Sequence, residues 1–516
     1  HIDIGRNLHK PTNNMMFGTM RNIGFVVTLF VIGLAISACQ TRVEIADYSN
    51  EEFAISPDYK DVTIPYNIAP LCFSVEDLSD AALIVRHAND SLCLIAKDGA
   101  FNLPLQEWRT LTADAKGDSL SFTICRKEND VWVASKPFSV YVSEDAIDPY
   151  LVYRRLNPGY GLWNRMGIYQ RCLEDFEENV IYDNEEGRGN CINCHSFCEG
   201  SPEKWQVHIR TKSGGTYLFD GKEQRLLNLK DKSRGNPVYA NWHPSGKFIA
   251  YSNNTTFFLI HTKKINRWEV MDEASDVFVA DIESGEQYRC DLISSKQALE
   301  TFPCFSPDGK YLYFCSAEAE EDVISNYDSI QYNLCRIAFD AEKKSFGNIV
   351  DTLYFAKRDN GSASFPRISP DGKFLCFTRS EYGNFSICHR DADLCMINLN
   401  GCYSSQIDEV TPSYIKLENA NSEQVESFHS WSRNSHWLVF SSKREDAIYT
   451  RPYFVHIDDN GKATKPFLLP QLDAKNRYDL EMDCYNLPEL VSGKIFIDKV
   501  ELKDNKDTNQ KQISVN

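Results

Sequence analysis

The stretch Phe305-Ser-Pro-Asp-Gly-Lys-Tyr-Leu-Tyr-Phe-Cys315 decides the fold, because it recurs. Related segments run Trp242-His-Pro-Ser-Gly-Lys-Phe-Ile-Ala-Tyr-Ser252, Ile368-Ser-Pro-Asp-Gly-Lys-Phe-Leu-Cys-Phe-Thr378 and Trp431-Ser-Arg-Asn-Ser-His-Trp-Leu-Val-Phe-Ser441. Pro244, Pro307 and Pro370 are 63 residues apart, and Arg433 takes the place 63 further on. The segment has the chemistry of a turn entering a strand. Proline presets φ, aspartate hydrogen-bonds locally, glycine takes the backbone that side chains resist, and alternating apolar residues follow.

A second strand signal follows each turn, at Asp276–Glu286, Asn333–Lys343, Asp393–Gly401 and Tyr453–Lys462. A unit of about four strands repeated in tandem reads as a propeller blade, since one blade cannot bury both of its faces alone. Val207–Arg210 and Thr216–Asp220 suggest an earlier blade without the turn motif, and Asp479–Val500 the last strands. Five blades are recognisable and six are expected, over residues 201–500. Upstream, Val62–Tyr66, Ala82–Arg86, Ser91–Ile95, Ser119–Cys125, Val131–Ala134 and Phe138–Val142 alternate with turn residues. They predict a β-sandwich-like domain over residues 58–147. The expected class is therefore all-β, a sandwich followed by a six-bladed propeller. Residues 148–200 read as a connector, with Trp163–Val180 as a possible helix carrying Met166, Ile168, Cys172 and Phe176 on one side.

The chain has 516 residues and a formal net charge of −18, which repels phosphate backbones and argues against nucleic-acid partners. Its 17 cysteines are too dilute for a small disulfide scaffold, and an odd number cannot all pair. One cysteine has an evident use. Phe25–Ile36 is a short apolar run after Arg21, and it leads into Ile36-Ser37-Ala38-Cys39. This resembles a bacterial lipobox, so residues 1–38 are expected to be upstream sequence and a signal peptide. Cys39 is then the lipid anchor, 39–57 a tether and 501–516 a polar tail. The expected location is the cell envelope, on the periplasmic face of the outer membrane.

The one motif with chemistry of its own is Cys191-Ile-Asn-Cys-His195. C-x-x-C-H is the attachment signature of haem c: two thiols reach the porphyrin vinyl groups, and the histidine binds iron. Cys191 and Cys194 are the expected tethers and His195 the proximal ligand. His208 is the first candidate for the sixth ligand; His243, His429 and Met166 are others, and an open site is a further option. Two alternatives stand beside haem. Zinc would use Cys191, Cys194 and Cys198 with His195 or Cys172, and a Cys191–Cys194 disulfide would need no cofactor.

Two resemblances follow from these residues. The Ser-Pro-Asp-Gly-Lys segments, covering residues 236–470, are similar to the WD-like repeats of TolB, the periplasmic propeller of the Tol–Pal system. With Cys191, Cys194, His195, Ser196, Phe197, His208-Ile-Arg and Gly214-Gly-Thr, the whole resembles Bacteroidetes-type TolB-like lipoproteins associated with cytochrome c biosynthesis. The resemblance implies an exported haem protein in electron transfer or redox-linked binding, with an envelope protein or redox partner. The alternative it allows is a non-catalytic scaffold. No G-x-S-x-G, P-loop or dinucleotide fingerprint is present.

Overall fold

The computed structural model describes residues 43–496 except 77, 79, 159–164, 185–190, 211–213, 230–235, 401–412, 474–477 and 479–480. The described residues from Glu44 onward fall in one compact unit. The signal peptide, Cys39 and the polar tail expected from sequence lie outside the described residues.

Six four-stranded sheets make the propeller. Their innermost strands are Cys484–Val491, Cys191–Phe197, Pro237–Trp242, Ala298–Phe305, Ser362–Ile368 and Glu426–Trp431, in blades 1 to 6. Consecutive inner strands touch around the ring, and Cys484–Val491 meets those of both blade 2 and blade 6. Blade 1 is composite. Tyr150–Leu156, Met166–Cys172 and Glu178–Asp183 form its outer three strands, and the far C-terminal strand Cys484–Val491 hydrogen-bonds to Tyr150–Leu156 from inside. Closing the ring with strands from both ends of the chain leaves the inner edge of blade 1 dependent on residues some 330 positions away.

This corrects the connector reading of residues 148–200. Tyr150–Leu156, Met166–Cys172 and Glu178–Asp183 are blade strands, and the stretch predicted as a helix holds the second of them and the start of the third. The pattern was misleading because blade 1 buries arginines. Arg171 is 1% exposed and donates to the carbonyls of Cys172 and Pro470. Arg155 pairs with Glu178, Glu481 and Asp483 at 2.5–3.0 Å. Charged residues at core positions erase the period-2 signal that marks a half-buried strand.

The sandwich-like domain holds all six strands expected in it, within a seven-stranded sheet, and a three-stranded sheet beside it. Two short strands, Ile45–Tyr48 and Ile55–Ser56, fall in the stretch expected to be tether, and they pair with Val131–Ala134 and Phe73–Val75. The helix Leu105–Asp114 was not foreseen; it buries Trp108, whose indole donates to the Ile68 carbonyl at 2.9 Å. One apolar cluster runs from this domain into blades 5 and 6, joining Tyr59 and Trp108 to Phe374, Trp437 and Phe454.

The repeated turn has the same hydrogen bond in five blades. Gly246, Gly309, Gly372 and Ser435 donate from their backbone N–H to the carbonyls of His243, Ser306, Ser369 and Ser432, at 2.8–3.0 Å. In blade 2 Ser201 donates likewise to Cys198, although its turn is one residue longer. The three glycines have φ of 64–75°. That left-handed backbone is why glycine recurs there.

Candidate functional site

Each inner strand carries one residue in the left-handed region: Leu487, Cys194, Tyr239, Phe302, Phe365 and Phe428, with φ of 51–53°. In every case the strand pairing slips at this point, so the six form one repeated bulge. Four positions after it comes the turn residue Cys198, His243, Ser306, Ser369 or Ser432. The bulge residues meet in the channel. Phe302 lies 4.4 Å from Tyr239 and 4.0 Å from Phe365, which lies 4.8 Å from Phe428, ring centre to ring centre. They plug the ring with an aromatic cluster in which Cys194 and Leu487 are the smaller members.

This alignment places the C-x-x-C-H residues in the repeat. Cys194 is the plug position of blade 2, and His195 occupies the place of His429 in blade 6. The strand does not present its three side chains to one porphyrin edge. Cys191 lies opposite Arg210, and Asn193 opposite His208, so these share one face of the sheet. After the bulge His195 lies opposite Val207, on the other face. His208 and His195 therefore cannot approach one iron from its two sides, which removes His208 as the sixth ligand. His208 hydrogen-bonds to Thr216 Oγ1 at 2.9 Å instead.

The other ligand candidates are also engaged elsewhere. His243 Nε2 bonds to the Gly309 carbonyl at 3.1 Å, and His429 Nε2 to that of Cys376 at 3.0 Å. Met166 lies beside the motif, its sulfur accepting from Ile192 N at 3.0 Å. The residues do not fit a covalent haem in this arrangement. Cys191, Cys194 and Cys198 are free thiols, and they form no metal-ligand cluster with His195 or Cys172 among the described residues.

His195 still stands out. Its side chain is fully buried, and among the described residues neither ring nitrogen has a hydrogen-bond partner, the nearest carboxylate being Glu489 with Oε1 3.9 Å from Nε2. Burial, with the nearby Arg154 charge, pushes its pKa down to about 3. Burial does the same to His429, down to about 3, and to His208, down to about 4. All three imidazoles are neutral at physiological pH. Their folded pKa values lie below the unfolded value, so their contribution is intact above about pH 6.5 and is lost progressively as pH falls from there through about 3–4.

Beyond the plug, the channel opens into a mouth of about 320 Å³. The ring around it is built from the second residue after each bulge: Glu489, Ser196, Asn241, Cys304, Arg367 and Ser430. The next residues, Phe197, Trp242, Phe305 and Trp431, form aromatic walls. Neighbouring blades lock this ring: the indoles of Trp242 and Trp431 donate to the carbonyls of Ser196 and Arg367, and Asn241 Oδ1 accepts from Phe305 N. Arg367 spends one bond, from Nη1, on the Pro366 carbonyl. The Ser430 hydroxyl is buried without a hydrogen-bond partner among the described residues. Glu489 Oε2 accepts from Phe197 N at 3.2 Å. Burial pushes the Glu489 carboxyl up to about 7 against the opposing pull of Arg367, with 25% of its side chain still exposed.

The far end of the channel is capped. The long hairpin Phe248–Ile260 and Trp268–Asp281 extends past its own blade. Glu269 takes hydrogen bonds from Tyr382 at 2.7 Å and meets His389 Nε2 at 3.2 Å; Asp272 accepts from Asn254 at 2.8 Å and Asn384 at 2.5 Å. Burial raises Asp272 to about 7. A raised carboxyl stabilises the fold below its unfolded pKa and loses that contribution as pH rises through about 7. Asp272→Asn keeps an oxygen for both amides and removes the charge. Its stabilising effect relative to wild type is expected to be larger at pH 8.5 than at pH 5.5 and to be smallest below about pH 4, as measured by urea unfolding.

No family model matches the chain, and no curated protein does. Among solved structures, the chain is similar to a nidogen/laminin complex chain at 10% identity, covering 67% of this chain and 99% of that one, with a TM-score of 0.38. Prolyl oligopeptidase B from Galerina marginata matches at 11% identity and TM-score 0.33; this chain covers 42% of it, with 68% of its own length. Oligogalacturonate lyase from Vibrio parahaemolyticus matches at 12% identity and TM-score 0.32, over 67% of this chain and all of that one.

Proposed function

We propose that this is a binding propeller that takes a carboxylate-bearing ligand, of the kind found at a peptide's C-terminal end, in the mouth above its aromatic plug. One observation carries the reading: Arg367 stands in a ring of polar side chains, walled by Trp242 and Trp431, with donors to spare. A guanidinium at the base of a partly enclosed site selects carboxylates by two parallel hydrogen bonds. Ser430 and the Asn241 amide are placed to add neutral donors, and the aromatic walls supply contact area for the rest of the ligand. The plug and the cap make the mouth a blind pocket.

The test compares trialanine with a free carboxylate against its amide, following the fluorescence of the mouth tryptophans. The free acid should bind at least about tenfold more tightly, the worth of one charge-assisted bond. Equal binding of acid and amide would remove the carboxylate reading. The pH dependence has a defined sign. Below about pH 7 Glu489 takes up a proton and stops competing for Arg367, so binding of the acid should strengthen as pH falls from 8 to 6. Glu489→Gln should flatten that profile.

We further propose that the chain is exported and held at the cell envelope by lipid on Cys39, which rests on the Ile36-Ser-Ala-Cys39 segment. Cys39→Ala should abolish incorporation of labelled palmitate and release the protein from membranes. Unchanged labelling would exclude Cys39 as the site.

A further inference from the structure

We infer that the junction between the sandwich-like domain and blade 6 is a zinc-class metal site, formed by Asp145, His436 and His456. Their ligand atoms all lie within 4.8 Å of one another. His456 Nε2 is 2.8 Å from Asp145 Oδ2, and His436 Nε2 is 4.0 Å from Asp145 Oδ1. Ligands on a tetrahedral zinc ion with bonds of about 2.0–2.1 Å sit about 3.3 Å apart, so small side-chain adjustments would bring all three onto one ion.

The surroundings are those of a prepared site. His436 Nδ1 is 3.2 Å from the Ile457 carbonyl, and donating there fixes the tautomer that leaves Nε2 with a free lone pair toward Asp145. A histidine ligand held by a carbonyl on its other nitrogen is the usual outer-shell arrangement at zinc. Asp145 is pinned from both sides: its carbonyl accepts the Trp437 indole N–H at 3.2 Å, and its N–H donates to Ser143 Oγ at 3.1 Å. The two imidazoles stack at 5.9 Å, with Trp437 edge-on to His456. The side chains are 15–34% exposed, so an ion and a water on the open position have access.

The sequence carries a trace of this. His436 stands where the other three repeats have Lys247, Lys310 and Lys373. Two imidazoles and one carboxylate suit zinc, whereas calcium and magnesium prefer all-oxygen sets. The ion would tie a loop of the first domain to the propeller.

The experiment uses the full chain after chelator treatment, with Zn²⁺ measured by metal analysis and Co²⁺ by visible absorption. The wild-type chain should take up one equivalent of metal that His436→Lys and Asp145→Asn do not. Lysine is the residue this turn carries in the other repeats, so His436→Lys is expected to fold. The cobalt form should show a tetrahedral nitrogen–oxygen spectrum without thiolate charge-transfer bands, which separates this site from the cysteines. Equal stoichiometry in wild type and His436→Lys, or a cobalt spectrum dominated by thiolate bands, would overturn the assignment.

Discussion

A chain ending at Asp483 is expected to lose the cooperative fold of the propeller. Its blade 1 would have no inner strand: Tyr150–Leu156 would expose a full edge of backbone donors and acceptors to the channel. The lost strand also buries Cys484, Tyr485, Leu490 and Val491, each no more than 4% exposed, and the carbonyl of Tyr485 accepts the Ser441 hydroxyl of blade 6 at 2.8 Å. Burying those side chains alone is worth about 1.5–3 kcal/mol each, together comparable with the whole stability of a typical domain, about 5–15 kcal/mol. Thermal unfolding by circular dichroism should show a broad, early transition or none. A sharp transition within a few degrees of wild type would mean that the ring does not depend on closure by the C-terminal strand.

The second large effect is expected at the plug. Phe365 is 2% exposed and sits at the centre of the aromatic cluster, 4.0 Å from Phe302, 4.8 Å from Phe428 and 6.0 Å from Tyr239. Phe365→Ala removes a ring that no neighbour can replace, because each neighbour is fixed by its own left-handed bulge. The expected loss is about 3–5 kcal/mol in urea unfolding, with an unchanged slope. Cys194→Ala, at the same position of blade 2, removes one sulfur atom and should cost about 1 kcal/mol. Similar losses for the two variants would show that the six positions do not form one graded plug.

What the sequence displayed depended on how locally each feature is encoded. The turn motif and its strand sit within eleven residues and recur at 63, so four blades could be read directly. Blade 1 could not, since its inner strand comes from residues 484–491 and its outer strands bury Arg154 and Arg171 at core positions. Blade 2 was half visible: an extra residue in its turn broke the motif and hid the alignment of Cys194 with Tyr239 and Phe302. That concealment is what let Cys191-Ile-Asn-Cys-His195 read as a cofactor motif in a connector rather than as one face-alternating strand. The mouth is a non-local object. Arg367 and Glu489 are 122 residues apart and become neighbours through the ring alone. The repeat still contained the clue, because the second residue after each bulge varies among serine, asparagine, cysteine, arginine and glutamate while the position after it stays apolar.

The central claim is that binding chemistry resides at the mouth and that the thiols of blade 2 serve its strand. It is tested most directly by titrating free-acid trialanine, followed by tryptophan fluorescence, into three proteins side by side: wild type, Arg367→Ala and Cys191→Ala/Cys194→Ala. Wild type and the thiol variant should bind alike, and Arg367→Ala should lose at least about tenfold in affinity. Retained binding in Arg367→Ala, or loss of binding with the thiols, would contradict the account.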